Sequence, residues 1–414
     1  MQHRGGNAVQ EPRILVDCLL ATCTSAIAIV VLRRYAVLFG LVDHPSKRKQ
    51  HVGKIPLVGG LAIFMGVTVG AACYGQFHWF EKSIISTAAL LTFIGALDDR
   101  FDLSVRGRLF IQAASVVTVI AVSGVYIHTL GTLFGHDIEL EWLGPPVTII
   151  AIIGLVNAFN MMDGIDGLAG SLALVSIAAI AMFVGTSTLR SSLVLLILLA
   201  MASLPYLLAN LGVMGNKIFL GDAGSMLIGY LLAWTLIRMS QVPESNLSPV
   251  DVLWCVGLPV CDTLSVMCRR MSQGKSPFKP DRGHIHHILM RAGLGPRSTL
   301  VVLIAIAVSI AFVGATLRDR VPSPGARLAT FIVLMFAYGL FTTRAWLKQE
   351  AAQHEKDLRA QPASIPRGVR AATRPAANTS QPPINAAHRE QVAAPPERPS
   401  RALGTAREST TTVR

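Results

Sequence analysis

Long apolar runs alternate with short polar stretches along this chain from Ile14 to Trp346. Eleven runs stand out, at about residues 14–42, 57–77, 83–97, 107–124, 146–160, 171–186, 192–213, 223–240, 250–268, 299–316 and 327–346. A segment that crosses lipid must satisfy its own backbone hydrogen bonds, so runs of this length predict membrane-spanning helices. The expected fold is all-α, a polytopic helical bundle of eleven spans, or ten if one of the shorter runs stays out of the bilayer. The first run is long enough to tilt, or to lie partly in the interface beyond Arg33 and Arg34. It has no convincing cleavage site and many spans come after it, so it reads as a retained span. Residues 1–13 are polar, 14–347 form the membrane domain, and 348–414 are rich in Ala, Pro, Arg, Ser and Thr. That last stretch has too few large apolar residues to bury a core and is expected to be a disordered basic tail.

Composition agrees. The chain is 52% hydrophobic and 15% charged, against roughly 25% charged in ordinary soluble domains. The net charge of +13 does not point to nucleic acid, because no RNP, zinc-finger or helix-turn-helix pattern accompanies it. The basic residues fall in loops and tail, where they set topology. Alternate loops (43–56, 98–108, 160–171, 213–222 and 269–298) hold fifteen Lys and Arg; the opposite loops hold six. The first set is expected to face the cytoplasm, with the N-terminus outside and the tail inside. The six cysteines lie within or beside apolar runs and none forms a CxxC pair, so they read as small core residues.

The clustered acids and histidines all fall in the basic loops. In Asn157–Ser171 (NAFNMMDGIDGLAGS), Asn157, Asn160, Asp163 and Asp166 recur at three-residue steps. On a helix or helical turn that spacing lines them along one face, and the glycines after them let a ligand approach the backbone. Asp98 and Asp99 end the third run, where carboxylates meet the unfavourable end of the helix macrodipole. Paired acids there suit Mg²⁺ or proton work, or a charged helix stop. Asp102 fits either role. Arg106 and Arg108 fit a phosphate site or an interfacial anchor, and Lys54 fits a phosphate contact or the charge rule alone. Asp222, between glycines at the head of a span, suits an N-cap or a metal ligand beside exposed N–H groups. The longest basic loop carries Arg282, His284, His286 and His287. It lacks the ligands of a zinc site and suits anion binding. Asp262, inside the ninth run, is costly in lipid and is expected to face a cavity or the bundle.

Five motifs in order, DHPSKRKQHVGKIPLVGG, ALDDRFDLS, NAFNMMDGIDGLAG, FLGDAGS and PDRGHIHHILMRAG, resemble those of the polyprenyl-phosphate N-acetylhexosamine-1-phosphate transferases. The resemblance covers about residues 14–346. PDRGHIHH resembles the branch that uses N-acetylglucosamine and starts O-antigen and related glycans, where the muramoyl-pentapeptide branch shows three consecutive histidines. The resemblance implies a reaction in which UDP-N-acetylglucosamine meets undecaprenyl phosphate at the cytoplasmic face of the inner membrane, giving a lipid-diphosphate sugar and UMP. It implies Mg²⁺ (with Mn²⁺ as a substitute) on Asp222 and Asn160, an essential pair in Asp98 and Asp99, a nucleotide site lined by Asp163 and Asp166, and a diphosphate and sugar loop in Arg282 and the histidines. The pattern is compatible with a homodimer and does not fix one.

Two other readings compete. A secondary transporter would place its charges near the bilayer midplane and show inverted repeats; here the acids cluster at span ends on one side and no repeat is visible. The same chemistry on another UDP-sugar (UDP-N-acetylgalactosamine, a deoxyamino sugar or UDP-muramoyl-pentapeptide) depends on pocket shape, which spacing does not give.

Overall fold

The computed structural model describes residues 11–43, 53–184, 190–215, 217–242, 245, 247–277, 281 and 283–360. Thirteen α-helices account for most of the described chain. The first is α1 (Glu11–Tyr35); after it a two-stranded ribbon, β1 (Val42–Asp43) against β2 (Ile55–Pro56), leads into α2 (Gly59–Tyr74), α3 (Trp79–Phe101) and α4 (Val105–Ser123). An antiparallel hairpin, β3 (Thr129–Leu133) with β4 (His136–Glu139), precedes α5 (Gly144–Met162), α6 (Leu168–Val184), α7 (Arg190–Asn210) and α8 (Gly221–Ser240). The chain continues with α9 (Pro249–Cys255), α10 (Gly257–Ser272), α11 (Ile285–Arg291), α12 (Pro296–Arg320) and α13 (Pro324–Ala360).

Each of the eleven apolar runs lies on a helix. Among the described residues, eight helices are long and apolar enough to cross a membrane, and the bent pair α9–α10 makes up to nine. The expected count of eleven spans is therefore not met by length: α2 and α6 are apolar but only 16 and 17 residues long. Two boundaries also change. The first helix stops at Tyr35, and the chain turns through Gly40 at φ +69° into β1, so 36–42 do not belong to the span. The ninth run is broken, its halves bent by 88° about Val256. Pro259, in the first turn of α10, has no N–H to bond the carbonyl of Cys255, and the helix restarts in a new direction. The stretch from 361 onward, expected to be disordered, lies outside the described residues.

The bundle is built around α8, which touches α2, α3, α5, α6, α7 and α9. Of its apolar window 89% is buried, against 22% for α4 and α13, whose outer faces are left for lipid. Without a hydrophobic drive between helices in lipid, close approach relies on small residues. A Cβ on Gly60 of α2 would overlap the backbone of Gly224 in α8, and one on Gly95 of α3 would overlap that of Ala223. The first N–H groups of α2, Gly59 and Gly60, donate to the carbonyls of Phe219 (3.0 Å) and Leu220 (2.9 Å). These contacts bring the starts of α2 and α8 and the end of α3 to one place.

Gly60→Val should lower the unfolding temperature in detergent, since overpacking costs about 1–3 kcal/mol. Gly154→Ala on the open face of α5, where nothing lies within 4 Å of the added carbon, should leave it unchanged or raise it by up to about 1 kcal/mol equivalent. Equal effects of the two would refute the close-packing account.

Candidate active site

The end of α3 and the start of α8 supply the carboxylates. Asp98 and Asp99 lie in the last turn of α3, which is closed by Asp102 at φ +52°, whose N–H donates to the carbonyl of Asp98 (2.9 Å). Ser104 then caps α4, accepting from the N–H of Gly107 at 3.2 Å. This tight turn aims Arg108, one turn into α4, back at α3. Its Nη1 donates to Asp98 Oδ2 (2.6 Å) and reaches Asp222 Oδ2 (3.3 Å). Asp98 Oδ1 accepts from the N–H of Leu103 (2.7 Å).

Asp99 solves the problem of an acid at a helix C-terminus by serving another helix. It accepts from the first N–H groups of α8, those of Asp222 (2.9 Å) and Ala223 (3.4 Å). The positive end of the α8 macrodipole offsets the negative end of α3. Gly221, at φ +72°, lies so close to Asp99 Oδ2 that a side chain would displace the carboxylate. Asp222, second in α8, accepts from Asn160 Nδ2 through Oδ1 (2.7 Å), and the same amide bonds Ser225 Oγ (2.9 Å).

Asp163 closes α5, and Asp166 lies beyond it in the turn before α6. Burial pushes the Asp163 carboxyl well above the usual carboxylate range, and the charges of Asp222, Asp99 and Asp166 push it further. Asp166 pairs with Lys217 Nζ at 2.7 Å. The cluster thus holds Asp98, Asp99, Asp163, Asp166 and Asp222 against Arg108 and Lys217. Its surplus of hard oxygen donors fits a divalent cation of the Mg²⁺ type. Among the described residues no three His, Cys, Asp or Glu side chains converge to hold an ion by themselves. Mg²⁺ does not require that, since it keeps waters and binds one or two carboxylates plus substrate phosphates.

A layer of histidines lies against this loop. His286 is buried, neither ring nitrogen has a partner among the described residues, and it packs where a side chain on Gly164 would stand. Burial, with the neighbouring His287, pushes its imidazole down to about 3, so the ring is neutral and offers hydrogen bonding rather than charge. His284 lies nearly parallel to it, 5.9 Å between centroids, and His287 is 4.2 Å away on the other contact. The segment before them is held by Asp281. Burial opposes its charge, but Arg270 (2.7 Å), the N–H of Gly283 (2.6 Å) and Arg269 (3.5 Å) hold the carboxyl below the usual range. Arg282 lies outside the described residues.

The sequence candidates divide accordingly. Asp98, Asp99, Asn160, Asp163, Asp166, Asp222 and Arg108 come together, with His286 adjoining through Gly164. Asn157 instead bonds Gln112 of α4 (3.1 Å) and the carbonyl of Ile153, so its amide nitrogen serves helix packing. Lys54 is exposed just before β2, and Arg106 is exposed on α4. Asp262 faces the protein, bonded to His284. Sequence reasoning missed Asn210, whose Oδ1 accepts from the N–H of Gly167 (2.5 Å) while its Nδ2 donates to the carbonyl of Ile218 (2.8 Å), tying the acidic loop to the approach to α8. A polar amide closing an apolar helix was its only signal. Lys217 read as topology alone.

The family model described as glycosyl transferase family 4 matches residues 82–240, the stretch from α3 through α8. The chain is similar to proteins named undecaprenyl-phosphate alpha-N-acetylglucosaminyl 1-phosphate transferase from Yersinia pestis and Escherichia coli (strain K12). Each is 40% identical over 321 residues, or 76% of this chain and 88% and 87% of theirs. A protein of the same name from Haemophilus influenzae is 37% identical over 328 residues, covering 77% of this chain and 91% of its own.

Because the fold raises the Asp163 carboxyl, the stability tied to its protonated form is present below the ordinary value of about 3.9 and is lost as pH rises through the raised one. Asp163→Asn should therefore unfold about 2 °C or more above the native protein at pH 8 without divalent cations, with the gap closing toward pH 4. A variant less stable at pH 8 would contradict this electrostatic account.

Proposed function

The chain belongs to glycosyl transferase family 4, and from that premise we propose that it transfers N-acetylglucosamine 1-phosphate from UDP-N-acetylglucosamine to undecaprenyl phosphate. One phosphoanhydride bond is exchanged for another: an oxygen of the lipid phosphate attacks the sugar-bearing phosphorus, and UMP leaves. The observation that carries the reading is the gathering of Asp98, Asp99, Asn160, Asp163 and Asp222 at the ends of α3 and α5 and the start of α8. Span ends mark the membrane boundary, where one substrate arrives from water and the other stays in lipid. The charge asymmetry of the loops supports a cytoplasmic position for this boundary, an N-terminus outside and a chain end inside. With bacterial relatives, that suits the inner membrane and the start of a cell-envelope polysaccharide.

Asp222 and the amide oxygen of Asn160 would hold Mg²⁺, with Asp98 and Asp99 beside them. Bound there, the ion would neutralise charge on the transferring phosphoryl group. The chain's own residues supply the rest. A phosphate monoester has a second pKa of about 6, so the acceptor is already a dianion and needs little proton abstraction. Asp98, held by Arg108 and the N–H of Leu103, acts in orientation more than as a base. Arg108 sits between two carboxylates and is within reach of an incoming phosphate, for which its planar fork is suited. Lys217, half-exposed beside Asp166, supplies a second cation. Neutral His286 packs behind the acidic loop with His284, and half-buried His287 is the one of the three open to the sugar and diphosphate.

Purified protein in mild detergent with undecaprenyl phosphate, UDP-N-acetylglucosamine and Mg²⁺ should release UMP and form the lipid-diphosphate sugar, read by mass spectrometry. EDTA should stop both. Asp222→Ala and Asp98→Ala should each cut turnover by more than about 10²-fold while the protein still inserts. Native turnover in either variant would sink the site assignment, and product only with a different UDP-sugar would move the donor.

A further inference from the structure

One buried acid near the site is not used by the acidic cluster. Asp262 of α10 has 1% of its side chain exposed. Burying a carboxylate is costly unless donors meet it, and three do. His284 Nδ1 lies 2.7 Å from Oδ2, while the N–H of Ile285 (3.0 Å) and the hydroxyl of Tyr338 (2.8 Å) donate to Oδ1. The acid therefore joins α10, the start of α11 and α13. Opposite a carboxylate, His284 Nδ1 carries the proton, which fixes the tautomer and leaves Nε2 as the other working nitrogen. The His284 ring lies 8° from parallel with that of His286, and His286 packs against Gly164, between Asp163 and Ile165. Two ring contacts thus connect Asp262 to the acidic loop.

We infer that Asp262 is a positioning residue for the transfer: it sets the tautomer and plane of His284 and, through the His284–His286 stack, holds the histidine layer against the loop that carries Asp163 and Asp166. This rests on the reading of the site as a sugar-phosphate transferase. Tyr338 and the N–H of Ile285 keep the carboxylate in place, so its free oxygen lone pairs are not left facing apolar side chains. A purely structural acid would stabilise the break between α9 and α10 with no dependence on the ring it touches.

A double-mutant cycle separates the two roles. UMP release is measured on full-length purified protein with Mg²⁺ for D262N, H284A and D262N/H284A. D262N should lose about 10- to 100-fold in kcat, with KM for the donor changing less. The double variant should be no worse than H284A within about threefold, because Asp262 acts through a ring already gone. D262E, which keeps a carboxylate, should recover part of the loss. Losses that multiply in the double variant, or native kcat in D262N, overturn the inference. If D262N fails to fold, judged by size-exclusion and unfolding temperature, D262E and Y338F run in the same cycle with the same two outcomes. Multiplying losses in an active parent overturn this inference alone. A parent that releases no UMP from any UDP-sugar overturns the transferase reading and the inference with it.

Discussion

The bond from Asp99 to the first N–H groups of α8 is the contact on which the site depends. An acid at the end of one membrane helix and unpaired amides at the start of another are each unfavourable where water is scarce. Brought together they satisfy one another. The same contact fixes Asp222, because its own N–H is one of the two donors. It demands that α3 and α8 meet nearly backbone to backbone, and Gly95 against Ala223 provides that approach, as Gly60 against Gly224 does for α2 and α8. Packing density and site geometry are here one requirement.

This packing gathers an excess of negative charge in one place, with Asp98 buried and Asp222 and Asp166 about a third exposed. Five carboxylates face two cations, and the fold meets the deficit by different means at each acid. Asp98 leans on Arg108 and a loop amide; Asp166 takes Lys217; Asp99 takes a helix terminus; Asp222 takes an amide and a share of Arg108. At Asp163, burial and the neighbouring charges push the carboxyl above the usual carboxylate range. An arrangement of this kind is costly as architecture and suited to anionic phosphates only once extra positive charge arrives. That accords with phosphoryl transfer, in which positioning and charge neutralisation supply most of the catalysis.

The histidine loop contributes in a different way. Its outer anchor, Asp281 on Arg269 and Arg270, and its inner one, Asp262 with Tyr338 of α13, both draw on α10, the helix that the break at Val256 redirects. The bend is what brings polar residues of an apolar run within reach of α11. Gln349 of α13 completes the support, donating to the carbonyl of Ile288 (2.9 Å).

The sequence by itself determined the class of fold and the approximate place of the apolar helices. Apolar length is a property of a segment alone; the three-residue spacing of Asn157, Asn160, Asp163 and Asp166 does not run along one helix face, because α5 ends at Met162 and Asp166 lies in the turn beyond. Charges in the loops were equally legible, because they answer to the membrane rather than to neighbours. Tertiary structure decided who meets whom. Nothing in the order of residues says that Arg108 spans Asp98 and Asp222, that Asn157 serves Gln112, or that Asn210 ties Gly167 to Ile218. Asp262 was legible as an anomaly in an apolar run; its partner lies 22 residues on and a third helix away. The break that brings them together is local in cause, a proline, yet its 88° is set by the packing of α10 on α12 and α13. Hydropathy is a sum over one segment, while hydrogen bonds are made between segments, and only the folded bundle fixes which segments lie side by side.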